Sequence, residues 1–117
     1  MVIFLSGCLD SSSILFTGES KNWSASYAVT NLNGEIQNYT LTLSYKGDNS
    51  SEVGKVKYKF SKSSGGGSGE TELSGHKEII HKSVSNGAVP QKDEIINATV
   101  EWKGIKEEIQ LSTNGTR

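Results

Sequence analysis

The sequence predicts an all-β protein, a sandwich of about seven antiparallel strands in one domain. From Trp23 onward, apolar residues recur at every second position over most of the chain, which is the period of a strand with one buried face. No stretch shows helical spacing over ten or more residues. The 13 glycines suit the many turns that such a protein needs. A chain of 117 residues has room for a single domain.

The first two alternating runs predict a hairpin with one apolar face and one hydroxylated face. Asn33-Gly34 lies between them, and this dipeptide favours a tight turn because both residues tolerate positive φ. The apolar positions of the two runs are Trp23, Ala25, Tyr27 and Val29, then Tyr39, Leu41, Leu43 and Tyr45.

The remaining runs complete the predicted strands. Val56, Tyr58 and Phe60 alternate with Lys55, Lys57 and Lys59, and weaker strands are expected at residues 71–73 and 79–84. The stretch Ser63–Gly69 is rich in glycine and serine and is predicted to be a mobile connection. Pro90 indicates a turn. Ile96, Ala98, Val100 and Trp102 form the next inward row, with Trp102 expected in the centre of the core, and Lys103-Gly104 turns the chain into a closing hairpin that ends at Leu111.

About seven short strands within about 90 residues are the number typical of an immunoglobulin-like sandwich. The chain lacks the Cys…Trp…Cys core of antibody domains, so the resemblance concerns the architecture alone and implies no function.

The amino terminus resembles the end of an export signal. Met1 to Leu5 are apolar, and Leu5-Ser6-Gly7-Cys8 is similar to a bacterial lipobox. The resemblance implies that Cys8 receives diacylglycerol and becomes the mature amino terminus. The alternative is an apolar terminus with a free or buried thiol. The domain boundaries that follow are 1–8 for the signal, 9–20 for a tether, 21–113 for the sandwich and 114–117 for a tail.

The composition argues against several functions. A net charge of −1 gives no attraction toward nucleic acid. A single cysteine permits neither an intrachain disulfide nor a thiolate metal cluster. His76 and His81 lie five positions apart, an odd spacing that would point them to opposite faces of one strand. We therefore expect surface histidines rather than metal ligands. No phosphate loop or nucleophile elbow is present, and no cofactor is expected.

The most distinctive surface feature is the row Lys55, Lys57 and Lys59, which Lys62 would extend. It is a candidate cationic face for an anionic polymer such as a cell-wall teichoic acid. The alternative is that these lysines keep the solvent face soluble and protect an edge strand from pairing with other chains. The Ser63–Gly69 connection is a second candidate binding surface.

These observations favour an exported, lipid-anchored, non-catalytic module that binds a protein or a cell-envelope polymer outside the cytoplasm. A lipobox joined to such a domain resembles small lipoproteins of Gram-positive bacteria. Two alternatives stay open: an enzyme with a dispersed site, and a secreted eukaryotic glycoprotein. For the second, the glycan acceptors would be Asn22, Asn38, Asn49, Asn97 and Asn114.

Overall fold

The computed structural model describes residues 13–32, 34–63, 65–73, 76–85 and 91–113. They form eight strands and one short 3-10 turn, Ser50–Glu52. The strands are β1 (Ser13–Glu19), β2 (Trp23–Thr30), β3 (Gln37–Tyr45), β4 (Gly54–Lys62), β5 (Gly65–Leu73), β6 (Glu78–Ser85), β7 (Ile96–Trp102) and β8 (Ile105–Leu111).

The strands form two four-stranded sheets, which confirms the predicted all-β sandwich. The first sheet has the order β1-β2-β3-β6 and the second has the order β5-β4-β7-β8. All neighbouring strands are antiparallel. The connections β3 to β4, β5 to β6 and β6 to β7 cross from one sheet to the other. These crossings interleave the sheets as in immunoglobulin-like sandwiches.

The core lies between the sheets and is built from the alternating residues that the sequence marks. Trp102 is 5% exposed, as expected of a core residue, and its ring lies 5.6 Å from the ring of Trp23 in the opposite sheet. Tyr27 and Phe60 make a second contact between the sheets, with ring centroids 5.5 Å apart. These aromatic pairs hold the two inner faces together because each ring buries a large apolar area.

Two groups of loops mark the two ends of the sandwich. At the lower end lie Ser13, where β1 begins, the β2–β3 connection, and Thr113 after β8. The β1–β2 loop and the β7–β8 turn lie at the upper end. Lys103 (φ 48°) and Gly104 (φ 76°) form that turn, which confirms the predicted reversal at these residues. Both φ values are positive, as a two-residue hairpin turn of type I′ requires.

The β2–β3 connection differs from the predicted tight turn. Thr30 pairs with Asn38, so the connection is longer than two residues. Asn31 has a positive φ of 64°; its carbonyl accepts a hydrogen bond from the Gly34 amide, and its side-chain amide donates to the Ile36 carbonyl. Asn31 therefore organises this connection. Asn33 and the turn expected at Pro90 lie outside the described residues.

The tether prediction for residues 9–20 is wrong over Ser13–Glu19, which form β1. This strand pairs with β2 along its whole length, and Ile14 and Phe16 are buried in the core. Its period-two pattern is hard to see in the sequence because Gly18 occupies an inward position and the outward Leu15 is apolar. The strands from β2 to β8 make up the predicted seven, and β1 is an eighth.

The prediction of a mobile connection at Ser63–Gly69 is also wrong, because Gly65–Leu73 forms β5. Its register sets Gly67 opposite Phe60 and Gly69 opposite Tyr58. A Cβ at Gly67 would lie 2.9 Å from Cζ of Phe60, and one at Gly69 would lie 2.6 Å from Cζ of Tyr58. The two aromatic rings therefore cover the glycines, and this cross-strand packing supplies the contact that the glycines lack.

On the side where β1 faces β8, the two sheets are joined. The Thr17 and Ser112 backbones exchange two hydrogen bonds of 2.9 Å. The next residue, Gly18, is buried, and a Cβ added there would lie 2.9 Å from the carbonyl carbon of Gln110 and 3.2 Å from Cγ2 of Ile109. Glycine is required here because the backbones of the two sheets approach so closely.

We expect Gly18→Ala to destabilise the protein by about 1–3 kcal/mol, the usual range for inserting a group into a packed site. The added methyl group meets the backbone of β8, which cannot rotate away. Thr17→Ala is the matched control, because its side chain points to the outer face and its backbone bonds remain. Urea unfolding of both variants measures the difference, and equal stabilities would contradict the role assigned to Gly18.

Candidate binding surfaces

The three lysines of β4 point outward from the middle of the second sheet. Because β4 lies between β5 and β7, the idea that these lysines protect an edge strand is wrong. Lys55, Lys57 and Lys59 are all exposed. Lys62 does not extend the row, since its ammonium group lies on the inner side, 5.2 Å from the ring centre of Tyr39.

Acidic residues of the neighbouring strands flank two of the three lysines. Lys55 forms an ion pair with Glu70, with a distance of 3.4 Å between nitrogen and oxygen. Lys57 lies opposite Glu70 on β5 and opposite Glu101 on β7. The outer face of the second sheet therefore carries mixed charge and does not present an uninterrupted cationic surface.

Lys59 has a different environment, because both of its cross-strand neighbours carry hydroxyl groups. Ser68 lies opposite it on β5 and Thr99 opposite it on β7. The Lys59 ammonium group and the two neighbouring hydroxyls can each donate a hydrogen bond to the same anionic group. Hydrogen bonds to an ionised group are stronger than those between neutral groups. The arrangement suits a phosphate or a carboxylate.

A shallow depression of about 550 Å³ lies over these residues. Beside Lys59, β5 contributes only the short side chain of Ser68, so the outer surface dips there. The depression is lined by Lys57, Lys59, Lys106, Ser68, Gly69, Glu70, Thr99 and Glu101, together with part of Tyr58. The lysine row and the glycine-rich segment, which were separate candidates in the sequence, thus line one surface.

On the opposite side from the β1–β8 junction, the sheets end in the edge strands β5 and β6, and His81 of β6 lies between the sheets there. The prediction that His81 is a surface residue is wrong, since its ring is half-buried. Its Nδ1 lies 2.9 Å from the Tyr58 hydroxyl, within hydrogen-bond distance, and its ring packs edge-on against Tyr58 and Phe60. Burial raises the pKa of Tyr58. His76 is exposed, as expected.

A groove of about 350 Å³ opens between β5 and β6 above His81. Apolar side chains, including the buried Leu73 and Ile79, line its inner part. Glu72 and Glu78 stand at its rim. The groove was not predicted, because it depends on which strands become the sheet edges.

Glu107 fastens the β1–β2 loop to β8 at the upper end of the sandwich. Its carboxylate accepts hydrogen bonds from the Ser20 hydroxyl (2.6 Å), from the backbone N–H of Asn22 (3.0 Å) and from the side-chain amide of Asn22. Partial burial acts to raise the pKa of Glu107, but these hydrogen bonds and the charge of Lys21 outweigh it and lower the pKa. Glu107 thus has a structural role.

The structure describes four of the five glycosylation sequons. Asn38, Asn49 and Asn97 are exposed, whereas Asn22 is half-buried and its side chain donates to Glu107. Asn114 and the predicted lipidation residue, Cys8, lie outside the described residues.

Compared with models of protein families, with curated proteins and with solved structures, the chain has no match in any of the three. Within the described ranges, no group of three or more histidine, cysteine, aspartate or glutamate side chains could hold a metal ion. None of the described segments is a helix of the length and hydrophobicity needed to cross a bilayer. A function must therefore be inferred from the surfaces of this chain itself.

The pKa of Glu107 leads to a prediction about acid stability. A carboxyl group whose pKa is lower in the folded state stabilises the fold above its unfolded pKa of about 4.5, and this contribution is lost as the pH falls through the folded pKa. We expect Glu107→Gln to destabilise the protein by about 1 kcal/mol at pH 7, since the group is partly exposed. The difference from wild type should shrink below pH 4.5.

The exposed neighbour Glu108 provides the control, since Glu108→Gln keeps the same change of charge without touching the loop. Thermal unfolding of the three proteins from pH 3 to pH 7 separates the effects. If Glu107→Gln and Glu108→Gln change the unfolding temperature equally at every pH, Glu107 does not hold the β1–β2 loop to β8.

Proposed function

We propose that this chain is an exported, non-catalytic binding module, held to a membrane by a lipid on Cys8, and that the outer face of its second sheet binds an anionic cell-envelope polymer. The observation that carries the proposal is the depression at Lys57 and Lys59, where an ammonium group and two hydroxyls stand together.

The charge pattern of this face favours a polymer with spaced anionic groups. Lys59 offers a site for one phosphate, and Lys106 lines the far side of the same depression. Glu70 and Glu101 flank Lys57, and Glu101 also lies opposite Lys106. These carboxylates would repel a polymer of continuous high charge density, such as a nucleic acid. A teichoic acid combines phosphates with neutral polyol units, so it could place its anionic groups on the lysines and its hydroxyls beside the carboxylates.

The shape of the surface favours binding over catalysis. The depression is shallow and lies across a sheet face, so bulk water reaches a bound ligand, whereas catalytic sites usually exclude water. The fold resembles other sandwiches in which recognition uses strand faces and loops on a rigid scaffold.

The lipid anchor and the extracytoplasmic location rest on the lipobox-like sequence Leu5-Ser6-Gly7-Cys8. The alternative of a secreted glycoprotein has less support at Asn22, where a glycan would replace a hydrogen that is positioned to bond Glu107.

Replacing Lys57 and Lys59 together by glutamine is expected to weaken binding to purified poly(glycerol phosphate) teichoic acid about tenfold or more at low salt. The loss arises because two charge-assisted contacts disappear. Binding by the wild type should also weaken steeply with added salt, since exposed charges are screened beyond about 10 Å at 0.1 M.

Lys82→Gln is the control for this experiment, because Lys82 is exposed on the outer face of the first sheet. Isothermal titration or biolayer interferometry with the immobilised polymer measures all three proteins. If the double variant binds as tightly as Lys82→Gln at every salt concentration, the assignment of this surface is wrong.

For the lipid anchor, we expect the native protein to begin at Cys8 and to partition into the detergent phase. Two acyl chains anchor a protein stably, whereas one chain gives only marginal membrane binding. Cys8→Ser should release the protein from the membrane or leave it unprocessed. Intact-mass measurement of protein from native envelopes checks both points, and an unmodified Cys8 would disprove lipidation.

A further inference from the structure

The outer edge of β5 borders the depression over Lys57 and Lys59 and pairs with no other strand of the described residues. We propose that it accepts an extended segment of another protein as an added antiparallel strand, and that this segment alternates basic with apolar side chains. The juxtaposition that points to it is a strand edge that begins with small residues and continues along a groove, with the buried Leu73 and Ile79 in its inner part and acidic residues at its rim. Addition of a strand to an exposed sheet edge is a common mode of peptide recognition.

The backbone groups at this edge follow from the strand register. The two-residue turn at Lys103-Gly104 makes Trp102 and Ile105 a hydrogen-bonded pair, and such pairs alternate along antiparallel strands. We follow this alternation from β7 to β4 and from β4 to β5 through the strand registers. The backbone N–H and C=O groups of the odd-numbered residues of β5 then point toward β4. The N–H and C=O groups of Gly66, Ser68, Glu70 and Glu72 therefore point away from the sheet.

Side chains give this edge little of the usual protection. Natural edge strands are shielded by lysines, prolines or bulges that keep other chains from pairing. Here the first half of β5 carries only glycine and serine, and its register with β4 has no bulge. In this half of β5, no side chain larger than that of serine stands between the edge and a partner backbone.

The two faces of β5 define the chemistry of the partner. On the outer face, Glu70 and Glu72 would lie beside the added strand, so lysine or arginine is expected at the facing positions. On the inner face, the added strand would pass over the groove lined by Leu73 and Ile79, so apolar side chains are expected there. Because strand side chains alternate, one extended segment can meet both requirements.

A second copy of this chain fits the edge less well. If β5 paired with its own copy, the inner positions of the added strand would be mainly glycines, namely Gly65, Gly67 and Gly69. Glycine has no side chain to fill the groove. The added strand would also carry further carboxylates to an edge that is already acidic. The occupant is therefore a different protein.

The probe for this site is a capped nine-residue peptide in which valine alternates with lysine, tested with the full chain. Residue-specific amide exchange followed by NMR is the decisive readout. In the free protein, the amides of Gly67 and Gly69 should exchange slowly and those of Ser68 and Glu70 quickly. Saturation with the peptide should protect Ser68 and Glu70. Unchanged exchange at these two amides would overturn the proposal.

Ser68→Pro tests the edge directly, because it removes one outward N–H while leaving the bonds to β4 in place. Proline is tolerated at an edge where its nitrogen faces solvent. The variant should bind the peptide about tenfold more weakly or worse, whereas Ser68→Ala should bind normally. Slow exchange at Gly67 and Gly69 in the proline variant verifies that β5 remains paired. Equal affinity of the two variants would overturn the proposal.

Four further controls distinguish strand addition from non-specific attraction, from polymer binding and from self-association. A peptide N-methylated at alternate amides and one with glutamate in place of lysine should both fail to bind. The Lys57→Gln/Lys59→Gln variant should bind the peptide at least as tightly as the wild type, because it loses positive charge beside Glu70. Loss of polymer binding in this variant would thus not imply loss of peptide binding. Sedimentation of the protein without peptide tests self-association. A dimer, together with protection of the Ser68 amide that rises with protein concentration, would overturn the choice of a foreign partner.

Discussion

The close approach of β1 to β8 is the constraint on which the shape of this sandwich depends. Gly18 allows the two backbones to meet, and the hydrogen bonds between Thr17 and Ser112 fix them there. Any side chain at residue 18 would push the sheets apart at this side. Backbone hydrogen bonds join the sheets here, whereas none joins β5 to β6 among the described residues. One side of the sandwich is therefore closed, and the other side holds a groove.

Glycine has opposite consequences on the two sides. At Gly18 the absence of a side chain permits backbone contact and closes the core. In β5, Gly67 and Gly69 let the rings of Phe60 and Tyr58 lie over the strand, and Gly69 with the short side chain of Ser68 lines the depression. The same residues expose the backbone of β5. The polymer surface and the strand-binding edge therefore share one structural cause.

Period-two alternation was enough to predict the sandwich, the strands β2, β3, β4, β7 and β8, and the buried Trp102. It found only the end of β5, at residues 71–73, because the glycines before it carry no pattern and the rings that stabilise them belong to β4. The order of strands within a sheet is a property of long-range pairing. For this reason the interior position of Lys57, the half-buried ring of His81 and the groove beside it could not be derived from local sequence.

The position of Ser13 at the lower end determines how the domain would stand on a surface. If Cys8 carries the proposed lipid, the lower end of the domain would lie nearest the membrane and the turn at Lys103-Gly104 farthest from it. A strand of seven residues spans about 23 Å. Both sheet faces would then stand roughly perpendicular to the membrane, and the depression would open into the layer outside it. Long polymers running parallel to the membrane could pass along it without first being bent toward the lipid.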